Sequence, residues 1–209
     1  MSLTQNLLFS GMRQSLGNLV TTTCHGQNVV KAKVFMPRNV NSIAQQHQRA
    51  SFKLLMDAYS SFGGITDKGF PGRPVKYSPC NVFLKVNLSS AIDNTDVVPV
   101  VDYSKLIVSD GSLPDLVITN STIGATGITI SFENDVSIAN VKASDQVIAF
   151  VKLKSGSLKL ARQVRGALVS GSVLIQCPNI NVDDVVCCYI FIMNDLSTKA
   201  SKSVYVPLS

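Results

Sequence analysis

The sequence predicts a mainly β protein with one long helix: an antiparallel β-sandwich in the C-terminal half, preceded by a hairpin–helix–strand unit. Three observations predict it. Short β-branched and aromatic runs bounded by turn residues recur along most of the chain. Only "NSIAQQHQRASFKLLMDAYSSF" (41–62) carries helical periodicity over several turns. Seven strand candidates crowd into the stretch after residue 113. The expected division is therefore 1–112 and 113–209, the second part spaced like an immunoglobulin or fibronectin type III sandwich. At 209 residues, 45% hydrophobic and 15% charged, the chain has the apolar content for a sizeable core and is no disordered tail.

The first element is a hairpin over 17–35, "GNLVTTTCHGQNVVKAKVF". Two β-branched runs flank "HGQN", where Gly26 and Asn28 tolerate positive φ, and Val30, Ala32 and Val34 alternate with Lys31, Lys33 and Phe35. Pro37 ends the pattern by removing a donor. A helix follows, opened by Ser42 with Gln45 as a capping box, or by Asn41 as the cap. Its polar stripe, Gln46, Arg49, Lys53, Asp57 and Ser60, is narrow, and apolar residues fill most of the rest. A helix lying on one sheet needs an apolar arc of only about 100°. This helix is expected to be covered on two sides, by its own sheet and by a second surface, or else between two sheets of its own chain. Gly63 suits the left-handed position past its end.

"TDKGFPGRPVKYSP" (66–79) reads as a loop, and "CNVFLKVNL" (80–88) as a strand through the alternation of Val82, Leu84, Val86 and Leu88. "YSKLIVSDGSL" offers a further strand and an Asp110–Gly111 turn. Then come "LVITN", "GITISFE", "DQVIAFVKLK", "SLKLARQV", "ALVSGSVLIQC", "DVVCCYIFIM" and "KSVYVPL", with turn signals such as Asn134–Asp135 and Ser155–Gly156 between them. Near-continuous apolarity makes "QVIAFVKL" and "VVCCYIFIM" the central strands. Tyr189 is either the corner tyrosine of such a sandwich or an ordinary core aromatic.

Chemistry-bearing constellations are sparse. His25 falls in the hairpin turn, and His47 on the apolar arc of the helix, with no second histidine at metal-ligand spacing. Glu133 is the only glutamate, which excludes a paired-glutamate hydrolase. Asp93 with Asp96, and Asp183 with Asp184, sit where aspartates bond to turn backbone. "SFGGITDKGFPG" lacks the spacing of a phosphate loop, and "GMRQSLG" that of a nucleophile elbow. The five cysteines show no C-x-x-C, and Cys187 and Cys188 point to opposite faces of one strand. No enzyme activity, cofactor, metal or small-molecule substrate is expected. The net charge of +6 is dispersed without a nucleic-acid motif, which makes nucleic-acid binding unlikely on pattern grounds. No run approaches the ~18 apolar residues of a membrane span, and the opening residues lack a signal-peptide pattern, so a cytoplasmic setting is expected.

The stretch "GNLVTTTCHGQNVVKAKVFMPRNVNSIAQQHQRASF" is similar to the opening of a domain-of-unknown-function family of Bacteroidota and their phages. The resemblance rests on a hairpin leading to an N-x-x-[ST]-x-A-Q-Q-x-x-R-x-x-F helix start, matched by Asn39 or Asn41, Ser42, Ala44, Gln45, Gln46, Arg49 and Phe52. "DYSKLIVSDGSLP" and "STKASKSVYVPL" look like its later signatures. Val40 stands where the family carries proline, and the hairpin has no tryptophan. The family implies no activity. Similar helix starts occur in small structural proteins of tailed-phage particles, which implies a virion component such as a collar, ring or tail protein, assembled in the host cytoplasm.

The expected function is thus non-enzymatic assembly: a homo-oligomer, in contact with other structural proteins of its particle, joined through the hairpin and helix. Phe35, Phe52, Tyr59, Phe62 and Phe70 are the expected buried anchors, with Arg38, Arg49 and Arg73 at the rim. The alternative is a surface- or carbohydrate-binding sandwich, which the lack of tryptophan and the five tyrosines disfavour.

Overall fold

The computed structural model describes residues 2–4, 15–24, 27–36, 41–93, 98–133 and 141–208. The chain divides into two compact units, Met1–Ser42 and Ile43–Ser209. The expected boundary at 112/113 falls inside the second unit.

The first unit is a four-stranded antiparallel sheet of order β1-β4-β3-β2, built from Ser2–Thr4 (β1), Ser15–Leu16 (β2), Leu19–Cys24 (β3) and Gln27–Ala32 (β4). The expected hairpin is β3–β4, registered Thr22↔Val29. Gly17, at φ +57°, makes the tight turn between β2 and β3. Thr21 and Val29 are its buried residues, and they lie on opposite faces, because Thr21 pairs with Val30 and Thr22 with Val29. The described residues of this sheet therefore build no one-sided core.

The second unit opens with the helix α1, Ile43–Ser61, close to the expected bounds, and Gly63 past its end has φ +56°. Ser51, Leu55, Ala58 and Phe62, spaced by four, three and four, are its buried side. The loop expected at 66–79 begins instead as a short helix, α2, Ile65–Gly69. The strand expected at 80–88 is a helix, α3, Pro79–Asn87. Ser78 caps it by accepting from the Asn81 N–H, and Pro79 occupies the first turn, where its missing N–H costs nothing. Phe83 and Asn87, one turn apart, are its buried residues. A small ribbon follows, Ile92–Asp93 (β5) with Val100–Val101 (β6).

The segment expected as a strand at 103–113 forms no ladder. Single backbone bonds, such as Asp110 N–H to Gly69 O and Ser203 N–H to Ser109 O, are joined by side-chain bonds: Ile107 N–H donates to Asn87 Oδ1 (2.7 Å), Asn87 Nδ2 donates to Ile107 O (2.8 Å), and Val108 N–H donates to Ser203 Oγ (3.0 Å). Ser109 Oγ reaches Gly69 O at 2.9 Å and Ser201 O at 2.8 Å. Gly69 is required at this crossing, since a Cβ there would stand 2.3 Å from Val108 O.

All seven expected sandwich strands form. They are Val117–Gly124 (β7), Gly127–Glu133 (β8), Gln146–Leu153 (β9), Leu158–Val164 (β10), Ser170–Gln176 (β11), Val185–Met193 (β12) and Val204–Tyr205 (β13). One sheet has the order β10-β9-β12-β13, with β9 and β12 central as expected, and the other the order β11-β8-β7. The fourth strand, β10, pairs with the third, whereas the immunoglobulin constant arrangement places it with the first, second and fifth. Ile130, Phe132, Val173 and Ile175 of one sheet pack against Val147, Ala149, Ile190 and Ile192 of the other. The opposite face of β9 and β12, carrying Phe150, Tyr189 and Phe191, is covered by Leu55, Phe62, Phe83 and Leu106. Tyr189 is no corner tyrosine: its hydroxyl donates to Tyr103 O, tying β12 to the pinned segment.

Candidate functional site

Helix α1 presents two sides to its surroundings. Its buried side meets the sheet; its flank carries Phe52 and Met56, one turn apart and 38% and 40% exposed. The second cover expected for the apolar arc is not supplied over these two residues, nor over Ile43, which is 76% exposed. Beside the flank runs α3, and Phe52, Tyr77, Val82, Lys85, Val86 and Leu88 line a groove of about 520 Å³. Cys80 Sγ donates to Met56 Sδ at 3.3 Å and fastens the two helices at this edge.

The polar trim is local. Arg73 Nη1 donates to Phe70 O at 3.0 Å, and Lys76 lies 5.3 Å above the Tyr77 ring. Tyr59 tilts against Phe83 with ring centroids 5.4 Å apart, and its hydroxyl donates to Asp67. Burial and then the Asp67 carboxylate push that hydroxyl up to about 12. The same two causes raise the Cys80 thiol, so it is a protonated thiol and a poor nucleophile.

The expected anchors separate into two groups. Phe62 and Phe70, 0% and 2% exposed, serve the chain's own core and are unavailable to a neighbour, which corrects their assignment as interface residues. Phe52 is exposed in the groove and Tyr59 half-buried against Phe83, Arg49 lies exposed on α1, and Arg73 is half-buried. Phe35, in the first unit, is 66% exposed and carries Lys33 at 5.5 Å over its ring. Arg38 lies outside the described residues, as do His25, Asp96 and the Asn134–Asp135 turn. Tyr77 and Val82 join the groove through α3, whose Ser78–Pro79 start is the signal in the sequence, and Met56 lies one turn from Phe52 on α1.

Elsewhere the titratable groups do structural work. His47 is half-buried beside Ile43, Ser51 and Leu88, and its carbonyl accepts from Ser51 Oγ at 2.9 Å. Asp184 caps a short turn by accepting from the Asn181 N–H at 3.1 Å. Glu133 is exposed at the end of β8. Among the described residues, no three His, Cys, Asp or Glu side chains gather where they could hold a metal ion. Cys187 and Cys188 do face opposite cores, and burial pushes both thiols up to about 12. Among the described residues, no helix is long and apolar enough to cross a membrane.

A family of unknown function, DUF6266, matches residues 11–207, nearly the whole length of the chain. The chain belongs to this family. No curated protein and no solved structure matches it. Family membership thus assigns no chemistry to the groove, and its residues must speak for it.

Proposed function

We propose that the chain is a non-enzymatic structural assembly protein that self-associates through the flank of α1, the groove beside α3 and the N-terminal hairpin. The observation that carries this reading is the pair Phe52 and Met56, exposed above a groove of about 520 Å³ lined largely by apolar side chains. Contiguous exposed apolar surface of this kind marks interaction sites, and its burial contributes about 25 cal/mol per Å² before the entropy of ordering is subtracted. The first unit supports the same reading. Its strands β2 to β4 bury only Thr21 and Val29, while Val34, Phe35 and Met36 are 70%, 66% and 91% exposed. A small sheet without a one-sided core gains stability from whatever covers it.

The contact set of this proposal is Phe35, Phe52 and Tyr59, joined by Met56 and Tyr77, with Arg38, Arg49 and Arg73 at the rim. The setting, a phage-like particle in which the protein is a collar, ring or tail component, is supported by the helix start Ser42–Phe52 alone. Mass photometry and size exclusion over a concentration series test the self-association. Discrete oligomers are expected, and Phe52→Glu with Met56→Glu should return them to monomers with unchanged circular dichroism. A wild-type protein that stays monomeric at about 100 μM lacks the affinity the proposal needs.

A further inference from the structure

A second surface, independent of the helical flank, lies at the edge of the sandwich. Strand β10 is the outermost strand of its sheet, and its register with β9 runs unbroken from Leu158↔Lys152 to Val164↔Gln146. The strand β11 passes beside it in the opposite sheet without pairing to it. Among the described residues, no backbone hydrogen bond joins the outer side of Leu158–Val164 to any other segment. Open edges are normally blunted by bulges, proline, short length or charged side chains. Strand β7 has a bulge between Ile118 and Asn120, and β13 has only two residues, but β10 has seven and neither device.

Lys and Arg alone would serve to protect the edge, but β10 also exposes apolar side chains beside them. From Gln146 to Val182 the chain holds five Lys or Arg residues and no Asp or Glu. Lys159 and Arg162 are both exposed on β10, and among the described residues neither forms an ion pair. Between and beyond them stand Leu160, 51% exposed, and Val164, 58% exposed. Cross-strand pairing fixes their faces: Lys159 lies opposite Val151 and looks towards the other sheet, whereas Leu160, opposite Phe150, and Arg162, opposite Ile148, look towards the helical side. There they border a cleft of about 240 Å³ with Ile65, Lys68, Phe191 and Met193.

We propose that β10 is a docking edge for an extended acidic segment of another protein, which adds as a further strand, seats apolar side chains over Leu160 and the cleft, and places carboxylates against Lys159, Arg162 and Lys68. Charge complementarity decides the occupant. A second copy pairing through β10 doubles the cations and adds no carboxylate, so like charge works against it. A nucleic-acid backbone answers the cations but has no use for the row of free N–H and C=O groups or for Leu160 and Val164. An acidic strand satisfies all three features: main-chain bonds give affinity, and alternate side chains give specificity.

The test uses the full chain and a fluorescent seven-residue peptide with Glu at the positions that pair with Lys159 and Arg162, Val at those that pair with Leu158, Leu160 and Val164, and Thr between them, followed by anisotropy. Binding in the range of about 10–100 μM is expected, at least tenfold weaker when Lys replaces Glu in the peptide and when its amides are N-methylated. Lys159→Glu with Arg162→Glu, two exposed positions, should reduce binding by about tenfold at an unchanged melting temperature. Hydrogen exchange should show protection gained over 158–164. Absence of binding at about 1 mM, protection confined to α1 and α3, displacement of the peptide by single-stranded DNA, or self-association that the double variant abolishes would each overturn the proposal. Self-association through Phe52 and Met56 is read by a different pair of substitutions, so the two proposals fail separately.

Discussion

Strands β9 and β12 are buried on both faces, yet the two faces are held in different ways. Towards β11-β8-β7, the residues Val147, Ala149, Val151, Cys188, Ile190 and Ile192 meet another sheet, whose strands are joined by ladders along most of their length. Towards the helices, Phe150 and Tyr189 pack with Phe62 at ring-centroid distances of 5.6 and 6.1 Å, and the segment above them has no ladder at all. Asn87, Ser109 and Ser203 supply the bonds a neighbouring strand would make. A ladder distributes satisfaction over many interchangeable residues. A side-chain pin concentrates it in one. The helical face should therefore be the one that single substitutions break.

The largest effect is expected at Asn87. Its replacement by Ala leaves the N–H and C=O of Ile107 without their partners at 2.7 and 2.8 Å and costs on the order of 2–4 kcal/mol. The denaturation midpoint reads the total, and hydrogen exchange reads its location. Protection should fall over 102–110 while β8 and β11 keep theirs. If both regions lose protection equally, the two faces form one cooperative unit and the contrast between them disappears.

The adjacent cysteines probe the dryness of the two faces separately. Burial raises both thiols from 9.0 to about 12, so the folded chain keeps them neutral where the unfolded chain ionises them. Their contribution is therefore complete below pH 9.0 and declines as the pH climbs towards 12. At about pH 10 each thiol removes about 1.4 kcal/mol relative to neutral pH. Under reducing conditions, urea midpoints compared at about pH 8 and pH 10 should fall less in Cys187→Ala and in Cys188→Ala than in the wild type, by about that amount each. An unchanged slope for Cys187→Ala alone would mean that water reaches the helical face.

The same contrast separates what the sequence made legible from what it hid. The sandwich strands announce themselves by alternation and turn residues, and α1 by its period. The opposed thiols follow from strand geometry alone. Helix α3 was concealed because Val82, Leu84, Val86 and Leu88 alternate over a stretch too short to separate a period of two from one of 3.6. Its deciding marks, Ser78–Pro79 at the start and buried Phe83 and Asn87 one turn apart, are helical. The segment 103–113 is extended and apolar, but its partners lie far along the chain, and the Val108–Ser203 bond spans 95 residues. No local pattern encodes such a pin. The groove inherits both difficulties: Phe52 was visible on α1, whereas Tyr77 and Val82 become neighbours of it only once α3 is a helix. Of the apolar arc expected to be covered on two sides, Phe62 belongs to the internal core, and Phe52 is exposed together with Met56.

The smallest effect is expected at Tyr59, where the pinned face meets the exposed groove. Tyr59→Phe keeps the ring against Phe83 and deletes only the hydroxyl that donates to Asp67 of α2. That bond lies at the surface, so its loss should lower stability by about 0.5–1 kcal/mol, read as a small shift of the urea midpoint. A loss well above that range would place Asp67 beside Asn87 as a second pin and extend the side-chain-held region to the lip of the groove. No loss at all would leave α2 held by apolar contact and by the Ser109 bond to Gly69 O, and the pinned region would then end where the sheet's own cover ends.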